Sequence, residues 1–162
     1  INSIANESMT DEEEKQYHEM FRELQQRIVI EITEAEHMDM ELIRKKSRVE
    51  DFSGMFALDD YGSGYNSEIN LLELQPKFVK VDISIVRNMD KDANKQQIVR
   101  NIVEYGHKRN MLIIAEGLET EEELKKSLEL GVDLLQGYFL AKPGETPPPI
   151  SDAALRVIRE LR

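Results

Sequence analysis

Short apolar runs alternate along the chain with longer stretches in which apolar residues recur every three or four positions. Ile28, Val29, Ile30 and Ile32 form a β-branched run around Glu31, and residues 55–58, 78–81, 111–115 and 134–136 are further runs of strand length. Residues 1–4 read as a short opening strand. Between these runs the period is helical. Thr10 and Glu13 have the spacing of a capping box, after which Tyr17, Met20, Phe21 and Leu24 share one helical face. Further helices are expected over 38–48, 67–74 and 93–107, the last with a stripe of Ile98, Val99, Ile102 and Val103. Thr120 with Glu123 caps another helix that Gly131 ends, and Ser151 opens a terminal helix reaching Leu161. The run Pro147, Pro148, Pro149 before it reads as a rigid connector.

Nearly continuous apolar strands alternating with amphipathic helices imply an α/β fold with a parallel sheet covered by helices. The expected strand count is about six. A closed (β/α) barrel needs eight strands and typically about 250 residues, so an open doubly wound sheet and an incomplete barrel both satisfy the pattern.

Composition narrows the chemistry. A chain of 162 residues with 40% hydrophobic and 33% charged residues has globular values and length for one domain. Its apolar runs fall short of the ~18 residues a membrane span needs, and it shows no secretory leader, so a soluble, cytoplasmic protein is expected. The absence of cysteine removes disulfides and thiolate ligands and leaves oxygen donors and three histidines for any metal. His18, His37 and His107 fall in helices or their flanks, where solvated surface positions are expected. A net charge of −11 opposes a broad nucleic-acid footprint. A small anionic ligand would need bound cations or a few basic side chains to reverse the local field.

Charged and amide residues stand where the apolar runs stop: Glu31, the pair Asp59 and Asp60, Lys80 and Asp82, Glu116, and Gln136. In parallel α/β folds the carboxyl ends of the strands share one face, so these positions can converge. Glu31, Asp59, Asp60 and Glu116, if ionised in one small space, require cations or raised pKa values, and oxygen-only ligands suit hard ions such as Mg²⁺, Mn²⁺ or Ca²⁺. The plainer alternative is that each acid caps the helix that follows it. Asp59 and Asp60 are followed by Gly62, Ser63 and Gly64, a pattern for a ligand pair with a mobile loop, or for an ordinary turn. Lys80, inside a strand, suits a polar pocket. It would form a Schiff base, hold a phosphate, position a water, or simply pair with Asp82 or Asp59.

In combination these blocks resemble the EAL family of cyclic-di-GMP phosphodiesterases from Ile1 to about Pro143. The chain reads IEITE from Ile30, DDYGSGYNS from Asp59, KVDISIV from Lys80, AEGLET from Ala115 and QGYFLAKP from Gln136. The resemblance implies an incomplete TIM-like barrel lacking its opening strand and helix. Residues 1–162 would be a truncated EAL domain, with 144–162 a Pro-rich connector and C-terminal helix. It implies metal ligation by Asn2, Glu31, Asp59, Asp60 and Glu116 around two Mg²⁺ or Mn²⁺ ions. Lys80 would orient or activate the attacking water with support from Asp82. Glu119 and Gln136 would complete the pocket around water and substrate, and Glu34 would anchor the loop containing Gly62, Ser63 and Gly64. The implied reaction is hydrolysis of one phosphodiester of cyclic di-(3′→5′)-GMP (c-di-GMP) to linear pGpG. The family's Glu-Ala-Leu segment, with a further metal-binding glutamate and a phosphate-contacting arginine, should precede Asn2 and is not in this sequence, so impaired activity is expected. A homodimer or element-swapped oligomer and an upstream cyclase-like or sensor domain are also implied. The alternative is a non-catalytic module that binds c-di-GMP or a partner protein.

Overall fold

The computed structural model describes residues 2–3, 10, 12–13, 15–16, 29–32, 56–64 and 67–161. The chain forms two compact units, one comprising residues 1–59 and 64–78, the other 60–63 and 79–162. The expected helix over 38–48, the stripe of Tyr17, Met20, Phe21 and Leu24, and Glu34, His18 and His37 lie outside the described residues.

In the first unit the strand order is β1 (Asn2–Ser3), β2 (Ile30–Ile32) and the beginning of β3 (Phe56–Tyr61). The pairings are parallel, with Asn2 beside Glu31 and Glu31 beside Ala57. Ile32, Ala57 and Leu58 are fully buried, as expected for strands covered on both faces. Thr10 and Glu13 form the expected capping box: Glu13 N donates to Thr10 Oγ1, and Glu13 Oε2 accepts from Thr10 N at 2.8 Å. Helix α1 (Ser67–Leu74) matches its expected span and buries Asn70 and Leu71.

In the second unit the order continues through the end of β3, β4 (Phe78–Val81), β5 (Leu112–Ala115) and β6 (Leu134–Leu135), β6 pairing parallel with β5. Two short elements that the periodicity does not signal follow β4: α2 (Ile83–Val86) and a 3-10 turn (Met89–Lys91). Asp82 caps α2 by accepting from Ser84 N at 2.8 Å. Helix α3 (Ala93–His107) occupies its expected span, with Asp92 as the N-cap. Val99, Ile102 and Val103 are buried, whereas Ile98, the fourth residue of the expected stripe, is 39% exposed.

Helix α4 (Glu121–Glu129) begins at the Thr120–Glu123 capping box and ends before Gly131, whose φ of +85° places it in the left-handed region that glycine favours. Helix α5 (Asp152–Leu161) packs on α4 with Ala154 and Val157 fully buried. It is tied to the loop after β6 through Ser151, whose N donates to Leu140 O at 2.7 Å and whose hydroxyl donates to Phe139 O at 2.8 Å. The connector and terminal helix are therefore integral to this unit. No described helix is long and apolar enough to cross a membrane.

Candidate functional site

Backbone hydrogen bonds align the strand ends of the second unit. Asp82 N donates to Tyr61 O at 3.1 Å, Glu116 N to Val81 O at 3.3 Å, and Gln136 N to Ala115 O at 2.9 Å. The first polar residue after each apolar run is thus carried to one rim, the location at which α/β sheets bind ligands.

Three charged residues meet there. Lys80 Nζ lies 3.0 Å from a Glu116 carboxylate oxygen, with both side chains largely buried. Asp60 and Glu116 offer carboxylate oxygens within 4.8 Å of one another. Lys80 therefore sits against one member of an acid pair, and its partner Glu116 comes from the next strand of the sheet. Carboxylates brought this close to one another favour a bound cation, and Lys80 supplies a positive charge to one of them. Carboxylate oxygens within that distance are near enough to share a hard divalent ion, whose oxygen ligands lie about 2.1 Å from it in the case of magnesium. The donor set fits a hard divalent metal.

Asp60 adopts a φ of +57°, uncommon for a residue other than glycine. The turn it opens is closed by Ser63, whose N and hydroxyl both donate to Asp60 O, at 3.0 and 2.8 Å. Gly62, with φ +99°, and Ser63 are exposed, as is Gly64. Asp59 is buried at the end of β3 in the first unit. In the same unit Asn2, Glu31 and Ala57 are register neighbours, and Asp59, two residues beyond Ala57, falls on the same face of its strand.

Glu119 is half exposed and is held by Arg87 Nη2 at 2.6 Å. It lines a cavity of about 480 Å³ together with Ile83, Gly117, Gln136, Tyr138, Lys142 and Pro148. Tyr138 is 60% exposed, and Lys142 Nζ lies 5.9 Å from its ring centre. Sequence reasoning singled out Gln136 here and missed Tyr138, Lys142 and Arg87; the QGYFLAKP block contains the first two, and nothing local marks Arg87. The loops after β5 and β6 are clasped by Leu118 N donating to Gln136 O at 3.0 Å and Phe139 N to Leu118 O at 2.9 Å. A side chain at Gly137 would collide with the backbone of Leu118. His107 lies away from this rim at the end of α3, with Nε2 3.0 Å from Asp133.

The buried Glu123 fixes this loop. One carboxylate oxygen accepts from Asn88 N at 3.0 Å, and the other from Glu119 N at 2.9 Å and Thr120 N at 3.2 Å. Burial acts to raise its pKa, but these bonds and the nearby Arg87 guanidinium together hold it below the ordinary carboxylate value. A depressed folded-state pKa contributes stability that is present above the unfolded value and lost as pH falls through the folded one. Glu123→Gln is therefore expected to lower stability at neutral pH by about 1–3 kcal/mol and to flatten the acid limb of a melting-temperature profile. An unchanged acid limb in the variant would remove Glu123 from this role.

Comparison with known proteins accords with this architecture. The family model described as EAL domain matches residues 1–143. The cyclic di-GMP phosphodiesterase PdeF of Escherichia coli is 38% identical over 87 residues, which are 54% of this chain and 12% of that protein. A standalone EAL protein from Vibrio cholerae, solved with c-di-GMP bound, superposes with a TM-score of 0.79 at 29% identity, covering 95% of this chain and 68% of that one. Klebsiella pneumoniae BlrP1, solved as a manganese and c-di-GMP complex, gives a TM-score of 0.76 at 27% identity over 83% of this chain and 36% of its own. The same protein was also solved as a calcium and c-di-GMP complex, with a TM-score of 0.69 at 30% identity over 78% of this chain and 33% of its own. A parallel sheet whose strands run in chain order, a lysine ion-paired to an acid at its rim, and a family match over residues 1–143 establish that this chain belongs to the EAL domain family, with the α/β architecture of a partial TIM-like barrel.

Proposed function

We propose that this chain forms part of a c-di-GMP phosphodiesterase that hydrolyses one phosphodiester of the ring to give linear pGpG. The observation that carries the reading is the ion pair between Lys80 and Glu116 beside Asp60, at the rim where the strands end. PdeF and the cyclic-dinucleotide complexes of the Vibrio and Klebsiella proteins support it.

Asn2, Glu31, Asp59, Asp60 and Glu116 would hold two divalent ions, with Mg²⁺ or Mn²⁺ as the proposed identity. Such ions, when bound, lower the barrier by polarising the phosphoryl oxygens and favouring deprotonation of the nucleophile. Lys80, held in place by Glu116, donates toward the attacking water and fixes its approach. The water oxygen forms a bond to phosphorus, the bond from phosphorus to the 3′ oxygen breaks, and the proton lost by water is balanced by one gained at the released 3′ hydroxyl. Asp82 caps α2 and so steadies the end of β4 that carries Lys80. Gln136 and Glu119 line the cavity and contact substrate there, with the aromatic face of Tyr138 available to a guanine base. The loop of Gly62, Ser63 and Gly64, anchored by Glu34, would close over the reacting phosphate. Assembly as a homodimer or element-swapped oligomer, a cytoplasmic location, an adjoining cyclase-like or sensor domain, and the assignment of residues 1–162 to one EAL domain belong to the same reading.

The test is chromatographic detection of pGpG after incubation of the protein carrying this chain with c-di-GMP and Mn²⁺ or Mg²⁺. Product formation that chelation abolishes and Asp59→Asn lowers at least about a hundredfold is expected. Turnover insensitive to both would overturn the assignment.

A further inference from the structure

Resting on that reading, we infer that Arg87 determines access of the anionic ligand: it holds and neutralises the Glu119 carboxylate in the cavity wall so that a phosphodiester can enter. Glu119 contributes a negative charge to the lining of the cavity in a protein whose net charge is already −11. A carboxylate in that position opposes a ligand bearing two phosphates unless a cation accompanies it. Lys142 also lines the cavity, but the cation paired directly with Glu119 is Arg87, with Nη2 2.6 Å from Glu119 and Nη1 3.5 Å from the buried Glu123.

The main chain around Arg87 is held by several hydrogen bonds. Arg87 N donates to Ile83 O at 2.8 Å, Arg87 O accepts from Lys95 Nζ at 2.7 Å, and Asn88 N donates to Glu123 at 3.0 Å. Gln96 from the same helix as Lys95 donates to Met89 O and Asp90 O at 2.8 and 3.1 Å. The guanidinium is therefore delivered from an anchored backbone, and Glu123 fixes the amide of the very residue whose carboxylate Arg87 grips. Arg87 does not line the cavity among the described residues, so it acts through Glu119 as a positioning residue.

The experiment is a coupling cycle measured by calorimetric titration of c-di-GMP into the full-length protein with Ca²⁺ present, for wild type, Arg87→Ala, Glu119→Gln and the double variant. Arg87→Ala is expected to weaken binding about tenfold, and Glu119→Gln in the same chain to restore it to within about twofold of Glu119→Gln alone. Arg87→Lys retains the charge without the planar fork and should fall between wild type and alanine. The loss should shrink at high ionic strength, which a purely structural role would not produce. Equal loss with and without the Glu119 charge, or no loss at all, would overturn the inference while leaving the functional reading intact. Failure of the wild-type protein to bind c-di-GMP would overturn both.

Discussion

Replacing Lys80 with methionine should abolish most turnover and destabilise the fold together, because one ammonium serves both ends. Its partner Glu116 is largely buried and has Asp60 within 4.8 Å, so removing the lysine takes away the ammonium that offsets charge in this acidic pair. Breaking a buried ion pair from one side costs about 3–5 kcal/mol. Turnover is expected to fall by about a thousandfold as the water loses its orienting donor. The two effects separate under different conditions. Acidification, which neutralises carboxylates, and saturating Mn²⁺, which replaces the missing positive charge, should each recover melting temperature in Lys80→Met without recovering pGpG production. A variant that regains turnover with metal alone would show that Lys80 is a structural counter-charge and nothing more.

The second large effect is expected at Glu116, which pairs with Lys80 and has a carboxylate oxygen within 4.8 Å of one of Asp60. Glu116→Gln keeps the shape and removes the charge, so Lys80 remains but the donor set for a hard cation is weakened. Manganese affinity, read by electron paramagnetic resonance, should fall by at least about a hundredfold, with turnover falling in parallel at limiting metal. Stability should change by less than in Lys80→Met, since Lys80 can still donate to the amide oxygen. Unaltered manganese affinity would exclude Glu116 as a ligand.

These expectations rest on features that the sequence shows unequally. The spans of α1 and α3 and the Thr120–Glu123 capping box follow from local periodicity and cap chemistry, which act within a few residues and need no tertiary information. The same reasoning explains why polar residues at the ends of apolar runs come to one rim: parallel strands joined by helices deliver their carboxyl ends to the same side. What local reasoning does not supply is partnership. Lys80 is paired with Glu116, 36 positions away in sequence, because the ladder joins Val81 to Glu116 across neighbouring strands. Asp82, nearer in sequence, is turned to Ser84 as a helix cap.

Helix α2 was missed for a different reason. Its sequence Ile-Ser-Ile-Val has the β-branched composition of a strand, and the helix exists because Asp82 caps it and because Val86 and Met89 are buried. The contact of Arg87 with Glu119 and Glu123 is tertiary and has no local signal. The spacing marks Glu123 as the capping-box partner of Thr120, but not that it is fully buried with the amides of Asn88 and Glu119 bound to it as well.

The central claim is that acids scattered through the sequence ligate a shared pair of divalent ions next to Lys80. Anomalous diffraction at the manganese edge from crystals of the c-di-GMP complex tests it most directly. Two manganese peaks bounded by the carboxylates of Glu31, Asp59, Asp60 and Glu116, with Lys80 beside the scissile phosphate, are predicted. Peaks confined to other acidic surfaces, or a cyclic dinucleotide bound with no manganese at these carboxylates, would contradict the account.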